Sequence, residues 1–235
     1  MFWWRNEVRP GISVAFTDTG AGNLALHVGD DPELVVGRRQ KLESALELGP
    51  NRFQYMNQVH GNRVAMIREF GDGPTVDAMV SVPDASGAVQ PLAVMVADCV
   101  PVVLVGEDAG HVPVVGVAHA GRPGVASAVV PAAVAAMRAE GAVNISAWIG
   151  PSICGRCYEV PGALREDVAA VVPAAWSETT WGTPALDLPA GVRAQLGDLD
   201  IPVEYSGGCT LENEALFSYR RHSRTGRFAG LVWTH

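Results

Sequence analysis

Apolar positions along this chain gather in short, saturated runs rather than in long helical stripes. Between residues 92 and 124 there are three of them, at 92–96, 100–105 and 112–118, rich in valine and bounded by Asp, Gly and Pro. Runs of this length with such boundaries predict buried β-strands. Similar runs at 63–67, 143–149 and 228–233 predict further strands, and 11–16 reads as a short edge strand. Helical spacing predicts α-structure elsewhere. Asp30 or Asp31 can cap a helix with Pro32 at its first position, Val35, Leu42 and Leu46 on one face, and Gly49-Pro50 as its stop. An alanine-rich helix is expected from Arg122-Pro123-Gly124 to Met137, ending at Gly141, and others at 161–172, 189–196 and 212–221, the last carrying Arg220 and Arg221. Residues 180–189 are the loosest stretch.

Strands alternating with helices favour an α/β sandwich, on the border of α+β. With 235 residues and 48% hydrophobic content, the chain can bury a sizeable core as one domain over residues 1–235. A formal charge of −8 argues against nucleic acid or an anionic membrane as partner. No run has the length of a membrane span, and the opening Met1-Phe2-Trp3-Trp4-Arg5 lacks the pattern of a secretory signal. Four cysteines are too few for a disulfide scaffold, so a reducing cytoplasm is the expected location. The acidic surface leaves both a monomer and a homodimer open.

Two of the apolar runs end in a residue able to bind a soft metal. Cys99 follows the first in Ala97-Asp98-Cys99, and His119 closes the third in His119-Ala120-Gly121, while His60 stands in Asn57-Gln58-Val59-His60-Gly61 just before the run at 63–67. Sites of α/β sheets collect at strand ends, which groups His60, Cys99 and His119 as one expected metal site. Zinc accepts imidazole and thiolate together, and three protein ligands with an open position is its catalytic arrangement. Taken singly, each residue also fits a packed thiol or a turn histidine. Asp98 can orient a ligand, take a proton or cap the strand end. Asp77 reads as a strand-entry residue, and Cys154-Gly155-Arg156-Cys157 fits structural thiols, a redox pair or a second metal.

These segments resemble a known family when taken together with Asp77-Ala78, Ile149-Gly150-Pro151-Ser152-Ile153, Cys157-Tyr158-Glu159-Val160 and Phe217-Ser218-Tyr219-Arg220-Arg221. Asn23-Leu24, His27-Val28-Gly29-Asp30-Asp31-Pro32 and Thr225-Gly226-Arg227 extend the likeness to both ends. The chain resembles the YfiH/laccase-domain family, labelled first as multicopper polyphenol oxidases and later as purine nucleoside phosphorylases. The resemblance implies a three-layer α/β/α sandwich with a mixed sheet, and zinc on His60, Cys99 and His119. It also implies phosphorolysis of adenosine, inosine, guanosine or methylthioadenosine, with deamination of adenosine as a second activity. Arg38 and Arg220 are the catalytic guanidiniums this implies, beside Asp98; Asn23, Gln58, Arg122 and Arg221 would bind the nucleoside and phosphate.

The chain departs from that pattern at two points. Arg122-Pro123-Gly124 replaces a Trp-Arg-Gly continuation, and Gly37-Arg38 replaces an Asn-Arg pair. Both departures bear on anion binding and leave the metal ligands intact. Two other chemistries compete. A zinc-dependent or Cys99-dependent amidase would edit peptidoglycan precursors. A copper polyphenol oxidase would need roughly ten imidazoles for its coupled sites, against six histidines in the chain.

Overall fold

The valine-rich runs form strands, but two stacked sheets share them. The computed structural model describes residues 1–84 and 86–235, with Ser206 described by its backbone alone. From the N-terminus come β1 (Phe2–Arg9), β2 (Ile12–Thr17), α1 (Pro32–Ala45), β3 (Val64–Ile67), β4 (Ala78–Ser81), β5 (Leu92–Val96), β6 (Val100–Glu107) and β7 (Pro113–Ala120). There follow α2 (Arg122–Ala126), α3 (Val129–Ala139), β8 (Val143–Ile149), α4 (Gly162–Val171), β9 (Trp176–Glu178), β10 (Pro184–Leu186), α5 (Leu188–Gly197), β11 (Val203–Ser206) and β12 (Phe228–Thr234). One sheet has the order β1-β2-β12-β5 and the other β11-β8-β6-β7-β4-β3, with β9 and β10 as a separate small pair. The larger sheet is mixed: β3 runs parallel to β4 and β11 to β8, whereas β6 is antiparallel to both neighbours.

Strand β6 shows why its run is apolar throughout. Side chains alternate across a strand, so Val103 and Val105 face Phe16, Val94 and Val232 of the smaller sheet. Val102 and Leu104 face the other way, toward Val134, Met137, Val192 and Leu196 of α3 and α5. On the far side of the smaller sheet, Leu42 and Leu46 pack on Ala15, Ala93, Leu231 and Trp233. Helix α1 begins where its cap predicts, with the Asp31 side chain accepting from the Glu33 N–H.

The mixed α/β class and the mixed sheet are those expected, while the layer count is corrected from three to four: helix, sheet, sheet, helices. A saturated apolar run reports two buried faces and leaves open whether a helix or a second sheet covers each. The strand expected at an edge, β2, lies instead between β1 and β12, because the charged segment Phe2–Arg9 pairs outside it. The single helix expected from Arg122 to Met137 is two, with Ala128 left-handed between them at φ 62°. Pro131 causes the break, since it cannot donate to the carbonyl of Ser127 and its ring would clash there. The Asn62 amide takes that carbonyl, at 2.7 Å. Residues 212–221 form turns rather than a helix. The Arg221 guanidinium gathers the carbonyls of Thr210, Leu211, Asn213 and Leu216, the last two of which a helix here would need for its own ladder. Among the described residues no helix is long and apolar enough to cross a membrane.

Candidate metal centre

Three segments converge where the two sheets part. Strand β5 ends in the smaller sheet at Val96 and β6 begins in the larger at Val100, so Ala97, Asp98 and Cys99 make the crossing. Asp98 takes φ 90° to do so, a conformation costing about 1–3 kcal/mol outside glycine. Its carboxylate accepts from the Thr210 hydroxyl at 2.6 Å and the Arg220 N–H at 2.7 Å, and its carbonyl accepts from the Ile153 N–H at 2.9 Å. Both carboxylate oxygens are thus engaged in holding the crossing that presents Cys99.

Asp77 organises the other two segments. Pairing of Ala78 with Ala118 sets it beside His119, whose N–H donates to the Asp77 carbonyl at 2.7 Å and whose Nδ1 lies 2.8 Å from Oδ1. The same carboxylate, fully buried, accepts from the consecutive N–H groups of Val59 (3.1 Å), His60 (2.8 Å) and Gly61 (2.6 Å). This nest of amides keeps His60 left-handed at φ 61°. Burial alone would raise the Asp77 pKa; the His119 ring and the amides outweigh it and hold the carboxyl below its ordinary value.

The result is a compact donor set. Ligand atoms of His60, Cys99 and His119 all lie within 4.8 Å of one another, with Cys99 Sγ 3.7 Å from His60 Nε2. Tetrahedral zinc spaces such donors by about 3.3–3.6 Å, so the set fits one metal ion with small adjustments. Because Asp77 occupies His119 Nδ1, Nε2 is the nitrogen left for a metal. Burial pushes the Cys99 thiol up, but His119 and His60 bring it down to about 6. Burial lowers His119, but Cys99 and Asp77 raise it to about 9. Without metal, the pair is a thiolate and an imidazolium near neutral pH.

Gly121 closes the set from behind. A Cβ there would come within 2.6 Å of His60 Cδ2 and 3.2 Å of Cys99 Sγ. Gly121→Ala is therefore expected to displace His60 and weaken metal binding by this set, with zinc as the probe, by about 10–100-fold. Titration against a competing chelator measures this, and an unchanged affinity would contradict the geometry.

The donors open on a cavity of about 330 Å³ whose walls include Met95, Val96, Ile153, Leu188, Tyr158 and Tyr219, with His27, Arg220 and Arg227 as its basic groups. Of the residues expected to act in catalysis, Asp98 and Arg220 line it, and of those expected to bind substrate, Gln58 does. Gln58 bonds the Met95 backbone through both ends of its amide, at 2.7 and 3.0 Å. Arg220 stacks 4.7 Å over the Tyr158 ring and donates to the Glu159 carbonyl at 2.8 Å. Asn23, Arg38, Arg122 and Arg221 lie outside the lining. Asn23 bonds Ala25, Asp30 and the Arg227 N–H, and Arg38 pairs with Asp30. Arg122 opens the short helix α2. His27, Tyr158, Tyr219 and Arg227 received no role from the sequence although each stands inside a quoted motif. Arg227 holds the carbonyls of Thr225 and Gly226 through Nη1, and burial holds its pKa below the ordinary value.

Residues 8–235 match the family model described as multi-copper polyphenol oxidoreductase laccase. The chain belongs to this family. Relatives of this laccase-domain chain include "Purine nucleoside phosphorylase ORF3" of Streptomyces griseus, 48% identical over 93% of each chain. "Purine nucleoside phosphorylase Rv2149c" of Mycobacterium tuberculosis is 42% identical over 95% of this chain and 88% of its own. Among solved structures, YlmD from Geobacillus stearothermophilus superimposes with TM-score 0.85 at 29% identity, covering 100% of both chains. Bacillus licheniformis YfiH gives 0.82 at 26% identity, over 95% of this chain and 93% of that one. The laccase-domain fold expected from the motifs is thus shared along the chain.

Proposed function

We propose that this protein is a zinc-dependent purine nucleoside phosphorylase of the cytoplasm, acting on adenosine, inosine, guanosine or methylthioadenosine. The observation that carries the reading is the cavity itself. Its lining combines a soft-metal donor set, the guanidiniums of Arg220 and Arg227, and aromatic and aliphatic side chains. Relatives at 48% and 42% identity bearing the phosphorylase name support it. A volume of about 330 Å³ falls in the range of small-molecule sites.

Phosphorolysis forms a bond from a phosphate oxygen to the ribose C1′ and breaks the bond from C1′ to the purine nitrogen, whose electron pair leaves with the base. In our reading Arg227 and Arg220 hold the phosphate dianion against that carbon, because guanidiniums match phosphate oxygens in pairs. Tyr158, Tyr219, Ile153 and Leu188 enclose the base and exclude water. Burial first, then the charges of Arg227, Arg39 and His119, lower the His27 pKa, so it serves as a neutral hydrogen-bonding imidazole. Asp98 holds the crossing that presents Cys99, Gln58 fixes β5 beneath the cavity, and Asn23, Arg38 and Arg221 brace backbone segments outside its lining. His60, Cys99 and His119 would hold zinc, which would supply Lewis acidity for charge building on the purine and, for adenosine deamination, for activating water.

Arg227→Ala is expected to raise the phosphate KM by about 10–100-fold, the worth of a charged hydrogen bond, with a smaller change in kcat. An unchanged KM moves the anion to Arg220 alone. The reading as a whole is tested by incubating the protein with inosine, with and without phosphate. Free hypoxanthine and ribose 1-phosphate formed only with phosphate support it; no cleavage under either condition refutes it. Copper oxidase chemistry fits less well, since the donor set has two imidazoles where coupled copper sites use roughly ten.

A further inference from the structure

A second group of metal-type donors lies behind the cavity wall, and the phosphorolysis reading makes no use of it. Cys154, Cys157, Cys209 and Glu212 each offer one ligand atom, and these atoms all lie within 4.8 Å of one another. They come in two pairs of identical spacing, Cys154-Gly155-Arg156-Cys157 and Cys209-Thr210-Leu211-Glu212. Each pair sits on a loop, and the loops are tied together. Ser152 and Cys209 form a parallel bridge, with the Ser152 N–H on the Gly208 carbonyl at 3.1 Å and the Thr210 N–H on the Ser152 carbonyl at 3.0 Å. The Cys154 loop folds into a tight turn, in which the N–H groups of Cys157 and Tyr158 both reach the Cys154 carbonyl at 3.0 Å. That turn brings its two thiols to one side.

A backbone amide is also aimed at sulfur. The Cys154 N–H donates to Cys209 Sγ at 3.4 Å. An amide so placed stabilises a thiolate, the form in which cysteine ligates metal. Cys157 Sγ stands 3.5 Å from Glu212 Oε1, so the carboxylate of this exposed residue closes the set on its solvent side. All three cysteines are free of disulfides. Four protein donors, three of them soft, leave no position for substrate, which is the structural rather than the catalytic arrangement for zinc.

We propose that Cys154, Cys157, Cys209 and Glu212 form a closed structural site for a soft divalent cation of the zinc class, which clamps the two loops behind the cavity. What the clamp steadies can be named. Tyr158 and Glu159, directly after the first pair, carry the ring and carbonyl on which Arg220 rests. Thr210, inside the second pair, holds Asp98 in the crossing that presents Cys99. The site stands independently of the nucleoside chemistry.

Elemental analysis of protein purified without chelator tests this, with about two zinc ions per chain expected from the two donor sets. Cys99→Ser and Cys209→Ser are each expected to retain about one, and the double variant none. Should Cys209→Ser fail to fold, Glu212→Gln keeps the three thiols and is expected to bind zinc at this site at least about tenfold more weakly. Native wild-type protein gives a second readout. Cys154, Cys157 and Cys209 should resist a thiol reagent with zinc bound and label after zinc is stripped. In cobalt-loaded Cys99→Ser, thiolate-to-cobalt absorption should persist. Cys99→Ser protein without metal, equal labelling with and without zinc, or recovery of Cys154 and Cys157 as a disulfide in metal-free protein would each overturn the proposal.

Discussion

Cys99→Ser and His119→Ala are each expected to lose about one zinc per chain and to lower nucleoside turnover by at least ~10³-fold, the several kcal/mol that a catalytic metal supplies. The two donors sit on different strands, Cys99 just before β6 and His119 near the end of β7, with Pro101 opposite His119 in the ladder. Removing either leaves two ligands of three. The ladder between β6 and β7 depends on neither side chain, so the fold should survive both changes, as circular dichroism can check, with His119→Ala the less stable because it strands the buried Asp77 carboxylate. Retention of both zinc and full turnover by either variant would contradict the site.

The same pair has a pH signature. With its thiol brought down to about 6, Cys99 in metal-stripped protein should be alkylated by iodoacetamide at a rate that rises through about pH 6 and is level at neutrality. An ordinary thiol midpoint would contradict the ion pair. Zinc added to this set would have to displace the proton from His119, whose pKa is raised to about 9. Zinc affinity should therefore climb by about tenfold per pH unit between 6 and 9, and more steeply below 6 where the thiol is protonated as well.

Asp77→Asn carries the other large effect. The buried carboxylate accepts from three consecutive amides and from His119 at once. An asparagine turns an NH₂ toward some of those donors, which leaves buried N–H groups facing a donor. We expect a stability loss of about 3–5 kcal/mol, as for a broken buried pair, and zinc affinity lower by about 10–100-fold. Denaturant unfolding and zinc titration measure the two. Unchanged values for both would mean that Asp77 neither orients His119 nor holds the His60 turn.

Much of the fold was legible in the chain because its signals are local. Valine runs marked β5, β6 and β7, and the Asp31-Pro32 start with its apolar stripe marked α1. The doubling of the β-layer was not legible, since Val102 and Val103 look alike in sequence while one faces helices and the other a sheet. Pro131 did announce the break between α2 and α3, and helical composition masked it. At the site, strand ends grouped His60, Cys99 and His119, whose ligand atoms lie within 4.8 Å of one another. Asp77 passed as a strand-entry residue because its partner His119 is brought beside it only by the pairing of β4 with β7. Arginines were the least legible. Arg38 and Arg221 spend their donors on a carboxylate and on backbone carbonyls, whereas Arg227, near the C-terminus, reaches the cavity through the path of β12.

The central claim, that zinc on His60, Cys99 and His119 supports phosphorolysis of a purine nucleoside, is tested most directly by metal stripping and reloading. Ribose 1-phosphate formation from inosine and phosphate is measured on wild-type and Cys99→Ser protein before chelation, after it, and after zinc is returned. The account predicts activity that disappears with the metal and returns with zinc in the wild type alone. Equal ribose 1-phosphate formation by the stripped enzyme, or by Cys99→Ser, would contradict it.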